Sequence, residues 1–429
     1  MDSTRQVKNL QSLLEVSKVM SGEIPLDSLL QVIVQKTEEV LEADRCSLFL
    51  FDEVRNELWS KVAHGLGDSK EIRFPLNRGI AGSVATTRAG INIPDAYSDP
   101  RFNPEIDKET GYHTHSILCL PMTSSNGRLI GVIEVLNKRG GGPFEQEDEG
   151  LLAALGTHAA IALERSQLIE AYVAKQRTDA ALKLAHDIQM SLLPQTFPAF
   201  PNIPQVDLYA SIQPAWEVGG DLYDFFLTDH GLIFFAIGDV AGKGVPASLF
   251  MAITRTLLKV SARKGLQPHE ILREVNTELS CNNDSCTFVT IFCGTLDPAT
   301  GDVLYANAGH NSPLIIRPHR ELVCLETGGG IAAGVLEEAI YQTSRLHLEP
   351  EDSLFLYTDG VTEAMNPNKE LFSEKRLMTE MERLGDYTSQ DMVSTILKKV
   401  TNFSKGAPQK DDITVMNIKF NAEFTIKKS

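Results

Sequence analysis

The 429-residue chain has no apolar run near the roughly eighteen residues that a membrane-spanning helix requires. Its opening stretch, MDSTRQVKNLQSLLEVSKVM, places Val7, Leu10 and Leu14 at helical spacing but lacks the unbroken apolar core of a secretory signal. Positive charge is in deficit, with 40 Lys and Arg against 57 Asp and Glu, for a net charge of −17. A field of that sign opposes nonspecific binding to nucleic acid or to an anionic membrane, so neither is an expected partner. Cysteine is sparse: Cys46, Cys119, Cys281, Cys286, Cys293 and Cys324 include no Cys-x-x-Cys pair, and no histidine pair completes a zinc pattern. Reduced, mostly buried thiols in a cytoplasmic protein are expected. A Walker loop is missing too. In GDVAGKGVPASLFMA only three residues separate Gly238 from Gly242, and Gly244 follows Lys243 where Ser or Thr would reach magnesium. What remains there is a carboxylate, Asp239, at the end of the apolar run LIFFAI.

The chain divides by pattern. Residues 1–24 read as an N-terminal helix and 25–165 as a mixed α and β region opening on an amphipathic helix, LDSLLQVIVQKTEEVLEA. Residues 166–196 read as a helical linker. Ile169, Val173, Ala180, Leu184 and Ile188 recur at spacings of four and seven, an imperfect heptad that suits a solvated connector or a parallel helix pair in a homodimer. Pro194, Pro198, Pro201 and Pro204 forbid its continuation. Residues 197–420 hold clustered strands with helices in pairs, which points to an α+β sandwich rather than strict βαβ alternation. A short tail, 421–429, ends the chain.

Within 197–420, aspartates break apolar strands at their ends: Asp221 in EVGGDLYDFF, Asp239 in AIGDVAG, Asp359 in SLFLYTDGVTEA, and Asp411 and Asp412 before ITVMNI. Any one alone is most often a turn or cap residue. Together they supply hard oxygen donors with no matching histidines or cysteines, which suits magnesium or manganese.

In this order, VGGDLYDFF, GDVAGKGVPASLFMA, NAGHNSP, LYTDGVTEA and DDITVMNI resemble the PPM-type metal-dependent serine/threonine protein phosphatases, in the branch of stage II sporulation E and the sigma-factor-regulating phosphatases. The resemblance implies an α-β-β-α sandwich with two Mn²⁺ or Mg²⁺ ions in a cleft. It makes Asp221, Asp239, Asp359 and Asp411 the catalytic, metal-holding carboxylates. Asp239 would bridge both ions, the Val240 carbonyl would help, Asp359 and Asp411 would hold one ion, and Asp221 would bind directly or through water. Asp412 is a turn or supporting residue. Two such ions about 3.5–4 Å apart activate water and stabilise charge during in-line attack on phosphorus. The eukaryotic members' phosphate-binding arginine has no counterpart in PAWEVGGD, and Ala241 stands where their acid histidine would be. His310 in NAGHNSP is then either an acid or part of a turn with Asn307, Gly309 and Asn311. A phosphorylated protein, an anti-sigma-factor antagonist in this branch, is the implied substrate. The competing reading is a non-catalytic, partner-binding domain of the same fold.

In the front half, ADRCSLFLFD, RGIAGSVATTRAGINIPDAYSDPRFNPEIDKETGYHTHSILCLPM and GVIEVLNKRGGGPFEQEDE resemble a GAF domain, an antiparallel sheet with helices, as found in cyclic-nucleotide phosphodiesterases. By that resemblance Asn137, Lys138, Phe144, Asp148 and Glu149 support the fold, with Lys138 and Asp148 as an ion pair. The implied small-molecule pocket uses Ser47, the amides of Ile80 and Ala81, Asp107, Thr110, Thr114 and Glu134, with a cyclic nucleotide as candidate ligand. Ala63 and His64 replace the ring and carboxylate that read guanine in relatives, which leaves the ligand open between a cyclic nucleotide, another small molecule and none.

Overall fold

A computed structural model describes residues 25–60, 72–124, 126–281, 283–317, 322–384 and 387–421, together with Leu14 and Lys18. The expected helix over 1–24, positions Ala63 and His64, and the tail beyond Asn421 lie outside the described residues, apart from Leu14 and Lys18, both helical. The chain forms two compact units, Met1–Arg177 and Thr178–Ser429.

In the first unit, helix α1 (Leu26–Leu41) precedes strands β1 (Ala43–Asp52), β2 (Glu57–Ser60) and β3 (Ile72–Pro75). Helix α2 (Gly79–Thr87), strand β4 (Ile91–Ile93) and helix α3 (Glu105–Thr110) follow. Strands β5 (Ile117–Thr123) and β6 (Leu129–Lys138) then lead into the long helix α4 (Gln146–Leu192). The strands make one antiparallel sheet in the order β3-β2-β1-β6-β5-β4. One sheet face packs Leu48, Leu50 and Ile133 against Leu30 and Ile33 of α1 and Leu152 and Leu155 of α4. The other packs Phe49 and Val132 against Ile80 and Val84 of α2. With both faces covered, β1 is apolar without interruption from Leu48 to Leu50.

Three of the expected supporting residues, Asn137, Lys138 and Asp148, fasten the end of β6. The Asn137 side chain accepts from the amides of His115 (2.6 Å) and Ser116 (3.2 Å) and donates to the His113 carbonyl (2.8 Å). Lys138 and Asp148 form a 2.6 Å ion pair that is largely shielded from solvent, and Asp148 also accepts from the Glu145 amide at 2.9 Å.

The second unit begins with β7 (Val206–Gln213), β8 (Leu222–Leu227) and β9 (Ile233–Val240), then helices α5 (Val245–Arg263) and α6 (Pro268–Ser280). Strands β10 (Val289–Leu296), β11 (Asp302–Ala308), β12 (Leu314–Ile316), β13 (Leu322–Cys324), β14 (Ser344–His347) and β15 (Ser353–Tyr357) follow. The short α7 (Asp359–Thr362), the pair α8 (Ser373–Glu382) and α9 (Ser389–Ser404), and β16 (Ile413–Phe420) complete it. Two five-stranded sheets result, β14-β11-β10-β9-β8 and β13-β12-β15-β16-β7. They stack face to face, Phe235, Ile237 and Phe292 sharing one core with Leu354, Leu356 and Met416. Met251, Leu258 and Val275 of α5 and α6 cover the outside of the first sheet. Leu377, Met392 and Ile396 of α8 and α9 cover the second. This is the α-β-β-α sandwich.

Helix α4 runs unbroken from the first unit into the second and stops two residues before Pro194, whose ring disfavours helix at the residue preceding it. Ile169, Val173, Leu184 and Ile188 are exposed along it. Among the described residues no helix is long and apolar enough to cross a membrane. All six cysteines are free, but only Cys46, Cys119 and Cys293 are buried. Cys281, Cys286 and Cys324 are exposed, against expectation, because the first two lie in the loop after α6 and the third on the short edge strand β13.

Candidate functional site

Each acidic residue singled out in the second unit stands where an apolar strand meets a turn. Asp239 is the penultimate residue of β9, opposite Thr290 of β10, and Asp221 immediately precedes β8. Asp359 opens α7 just beyond β15, while Asp411 and Asp412 lead into β16. Two carboxylates thus come from the first sheet and three from the second, and stacking the sheets brings them within reach of one another.

Asp221 is buried, and its Oδ2 accepts hydrogen bonds from Thr358 Oγ1 (2.8 Å) and Thr414 Oγ1 (2.6 Å). Burial raises its pKa well above the usual carboxylate range, and the charges of Asp239 and Asp412 add to this. Asp239 is pushed up to about 7, first by burial and then by Asp359 and Asp411, with a hydrogen bond to Asp221 opposing. Asp359 is raised by burial, then by Glu363 and Asp411. Like charges gathered in a poorly hydrated place disfavour ionisation until a cation arrives.

Asp412 is spent differently. Its carboxylate accepts from the amides of Ala215 (2.8 Å), Gly220 (2.7 Å) and Asp221 (3.3 Å), so it holds the loop that presents Asp221. A Cβ on Gly219 would lie 2.1 Å from that carboxylate, so only glycine fits. From the other side Gln189, near the end of α4, accepts from the Gly219 amide (3.1 Å) and donates to its carbonyl (2.6 Å). The Val240 carbonyl lies beside Gly220, where a Cβ would come within 2.8 Å of it.

Among the described residues no three His, Cys, Asp or Glu groups form a ready cage for an ion. The cluster is open, which fits Mg²⁺ or Mn²⁺ bound through one or two carboxylates each with waters retained, and does not fit a closed zinc site. His310 is buried, with Nδ1 2.9 Å from Thr290 Oγ1. Burial pushes it down to about 4, so near pH 7 it is the neutral imidazole, a poor general acid. Asn307 clamps it, accepting from its amide (2.7 Å) and donating to its carbonyl (2.9 Å), which makes the turn the observed role.

The first unit contains a cavity of about 320 Å³ lined by Ser47, Ile80, Ala81, Asp107, Thr114 and Glu134. The Thr110 side chain lies outside the described residues. Asp107 is already engaged, accepting from the Thr114 amide (2.7 Å), Thr114 Oγ1 (2.8 Å) and Tyr97 Oη (3.1 Å). Burial pushes Glu134 up to about 7, with the Cys119 thiol opposing. Sequence reasoning missed Arg45, Arg73, Arg78 and Tyr112, which also line the cavity. The Arg45 guanidinium lies 3.6 Å above the Tyr112 ring. Its signal was available, since Arg45, Ser47 and Phe49 alternate along β1 and share one face.

Residues 25–163 match the family model of the GAF domain, and residues 229–421 match that of Stage II sporulation protein E (SpoIIE). The chain carries a GAF domain followed by a SpoIIE-type domain. Protein IcfG of Synechocystis is 29% identical over 265 residues, covering 55% of this chain and 41% of that protein. A probable 3',5'-cyclic phosphodiesterase of Caenorhabditis elegans, pde-5, is 34% identical over 178 residues, covering 39% of this chain and 24% of its own length. The chain therefore spans less than half of either relative. The SiaA-PP2C domain of Pseudomonas aeruginosa shares the fold, with a TM-score of 0.51 at 21% identity over 58% of this chain and 99% of that domain. The SpoIIE match starts at residue 229, short of Asp221; the hydrogen bonds of its carboxylate to Thr358 and Thr414 and the charge it shares with Asp239 join it to the SpoIIE-type cleft.

Proposed function

We propose that the SpoIIE-type domain is a metal-dependent phosphatase that removes phosphate from serine or threonine of a signalling protein, an anti-sigma-factor antagonist, under control of the GAF domain. One observation carries this reading: Asp221, Asp239, Asp359 and Asp411 meet from two sheets, and three of them are raised by burial and by each other's charge. In this reading Asp239, helped by the Val240 carbonyl, would serve both Mn²⁺ or Mg²⁺ ions, Asp359 and Asp411 would hold one of them, and Asp221 would bind directly or through water. Once bound, the ions supply Lewis acidity and an activated water. The chain supplies rigidity. Thr358 and Thr414 fix the carboxylate of Asp221, and Asp412 fixes its backbone. Water displaces the serine or threonine oxygen from phosphorus, so no phosphoenzyme forms.

The GAF ligand in this reading is a cyclic nucleotide, with its phosphate at the amides of Ile80 and Ala81, where helix α2 begins. Similarity to a protein named as a cyclic phosphodiesterase supports that chemistry, and His64 at the guanine-reading position favours cyclic AMP. Homodimerisation through the exposed stripe of α4 would carry the signal.

Hydrolysis of p-nitrophenyl phosphate by the full chain, with Mn²⁺ and again with chelator, tests the enzyme. Turnover that needs the metal is expected; folded protein without turnover at millimolar Mn²⁺ would overturn it. Calorimetry with cyclic AMP and cyclic GMP tests the ligand, and absence of heat with both removes cyclic nucleotides.

A further inference from the structure

The SpoIIE-type cleft has carboxylates for ions, but PAWEVGGD, the segment that ends at Asp221, offers no arginine to hold the substrate's phosphate. We propose that Lys243 fills this role: its ammonium binds the phosphoryl oxygens of the substrate, and in the metal-free protein it rests on Asp411. This rests on the phosphatase reading and names the group that recognises the substrate.

Lys243 sits in the turn between β9 and α5, four residues after Asp239, flanked by Gly242 (φ 98°) and Gly244 (φ 73°). Positive φ on both sides defines a backbone path that other residues rarely follow, so the lysine is set by the turn and not left to wander. Its Nζ lies 3.0 Å from Asp411 Oδ2 and also donates to the Lys410 carbonyl. The side chain thus reaches from the β9 turn to the segment before β16, crossing between the loops that carry Asp239 and Asp411. Asp359 feels the same positive charge.

Lys410 and Arg255 are otherwise engaged. The Lys410 ammonium faces Met365 Sδ at 3.7 Å, and Arg255 is shielded in a 3.1 Å pair with Asp224. Lys243 and Asp411 are each 39% exposed, so their pair stands at the open rim, where water and a phosphate group have access. Exposed pairs of this kind are weak and exchange readily. An ion bound by Asp411 would take over the neutralisation of that carboxylate and leave the ammonium available. A phosphate dianion suits a lysine point charge.

The test uses the full chain as wild type, Lys243→Met and Lys243→Arg. Calorimetry measures inorganic phosphate binding to each Mn²⁺-loaded protein and Mn²⁺ binding to each metal-free protein, alongside kinetics on p-nitrophenyl phosphate. In Lys243→Met, phosphate affinity should fall and KM rise by about tenfold or more, the size of one lost charge-assisted hydrogen bond. Its kcat should stay within about threefold and Mn²⁺ should bind at least as tightly, while Lys243→Arg should keep phosphate affinity within about threefold, since it retains the charge. Phosphate binding that is absent from wild type, or unchanged in Lys243→Met, overturns the proposal, as does Mn²⁺ affinity that falls in parallel. If wild type binds phosphate through Lys243 but hydrolyses nothing, the phosphatase reading falls and the phosphate site stands.

Discussion

Asp239 in the SpoIIE-type cleft and Glu134 in the GAF pocket are both pushed up to about 7, yet for different reasons. Asp239 is raised by burial and by the negative charges of Asp359 and Asp411. Glu134 is raised by burial alone, against a thiol that favours ionisation. Crowded carboxylates repel one another until a cation relieves them. A solitary buried carboxyl is at rest when protonated and offers a ligand a hydrogen-bond donor. In the proposed reading, equal acidity therefore goes with an ion site in one place and a neutral recognition group in the other.

The largest test of that contrast is Asp239→Asn. Hydrolysis should fall by at least about 10³-fold, because ion-held charge stabilisation is worth several kcal/mol. The metal-free variant should nevertheless melt higher than metal-free wild type, since one member of a repelling group has gone. Full turnover, or a lower melting temperature without metal, would break the comparison. Asp412→Ala against Asp148→Ala is the next. The first strips three backbone amides of their acceptor and should cost about 2–4 kcal/mol and most of the activity. The second leaves Lys138 shielded without its partner and should cost the GAF domain about 3 kcal/mol, with basal hydrolysis intact. Denaturant melts with separate probes in each domain distinguish them; equal loss of activity in both would show that the two regions are not separable.

Inserting four residues after Ala174 would turn the downstream part of α4 by about 40° and lengthen it by about 6 Å. Basal hydrolysis should persist while its response to GAF ligand disappears; an unchanged response argues against transmission along the helix. Glu134→Gln should have the smallest effect. A carboxyl whose folded value is raised to about 7 from 4.5 makes the folded state bind the extra proton between those values, so wild-type stability declines as pH rises through that window. The variant should melt like wild type near pH 5 and higher near pH 8.5, by on the order of 1–3 kcal/mol. A gap of the same size at both pH values would refute the assignment.

Much of the cleft was legible because each aspartate interrupts an apolar strand at its end, a local signal. Glycines and prolines around α4 through α6 marked helix limits equally well. The short strands β2, β3, β4 and β14 were not seen, being three or four residues long with no room for alternation. β8 was hidden inside the motif around Asp221. The pairing of Asp221 with Thr358 and Thr414 spans 137 and 193 positions, and that of Lys243 with Asp411 spans 168. Such meetings are produced by stacking two sheets, and nothing in a local window encodes them.

The grip of Gln189 on Gly219 has a mechanical consequence. A single hydrogen bond is a swivel, which passes on push and pull but lets its partners spin. Gln189 makes two, to the amide and the carbonyl of one residue, and so fixes bearing as well as distance. Twisting α4 therefore applies torque to Gly219, whose neighbours Gly220 and Asp221 are bonded to Asp412. Rotation by a single helical position, about 100°, would carry the amide of Gln189 out of reach altogether. The joint is engaged or disengaged, like a key in its slot.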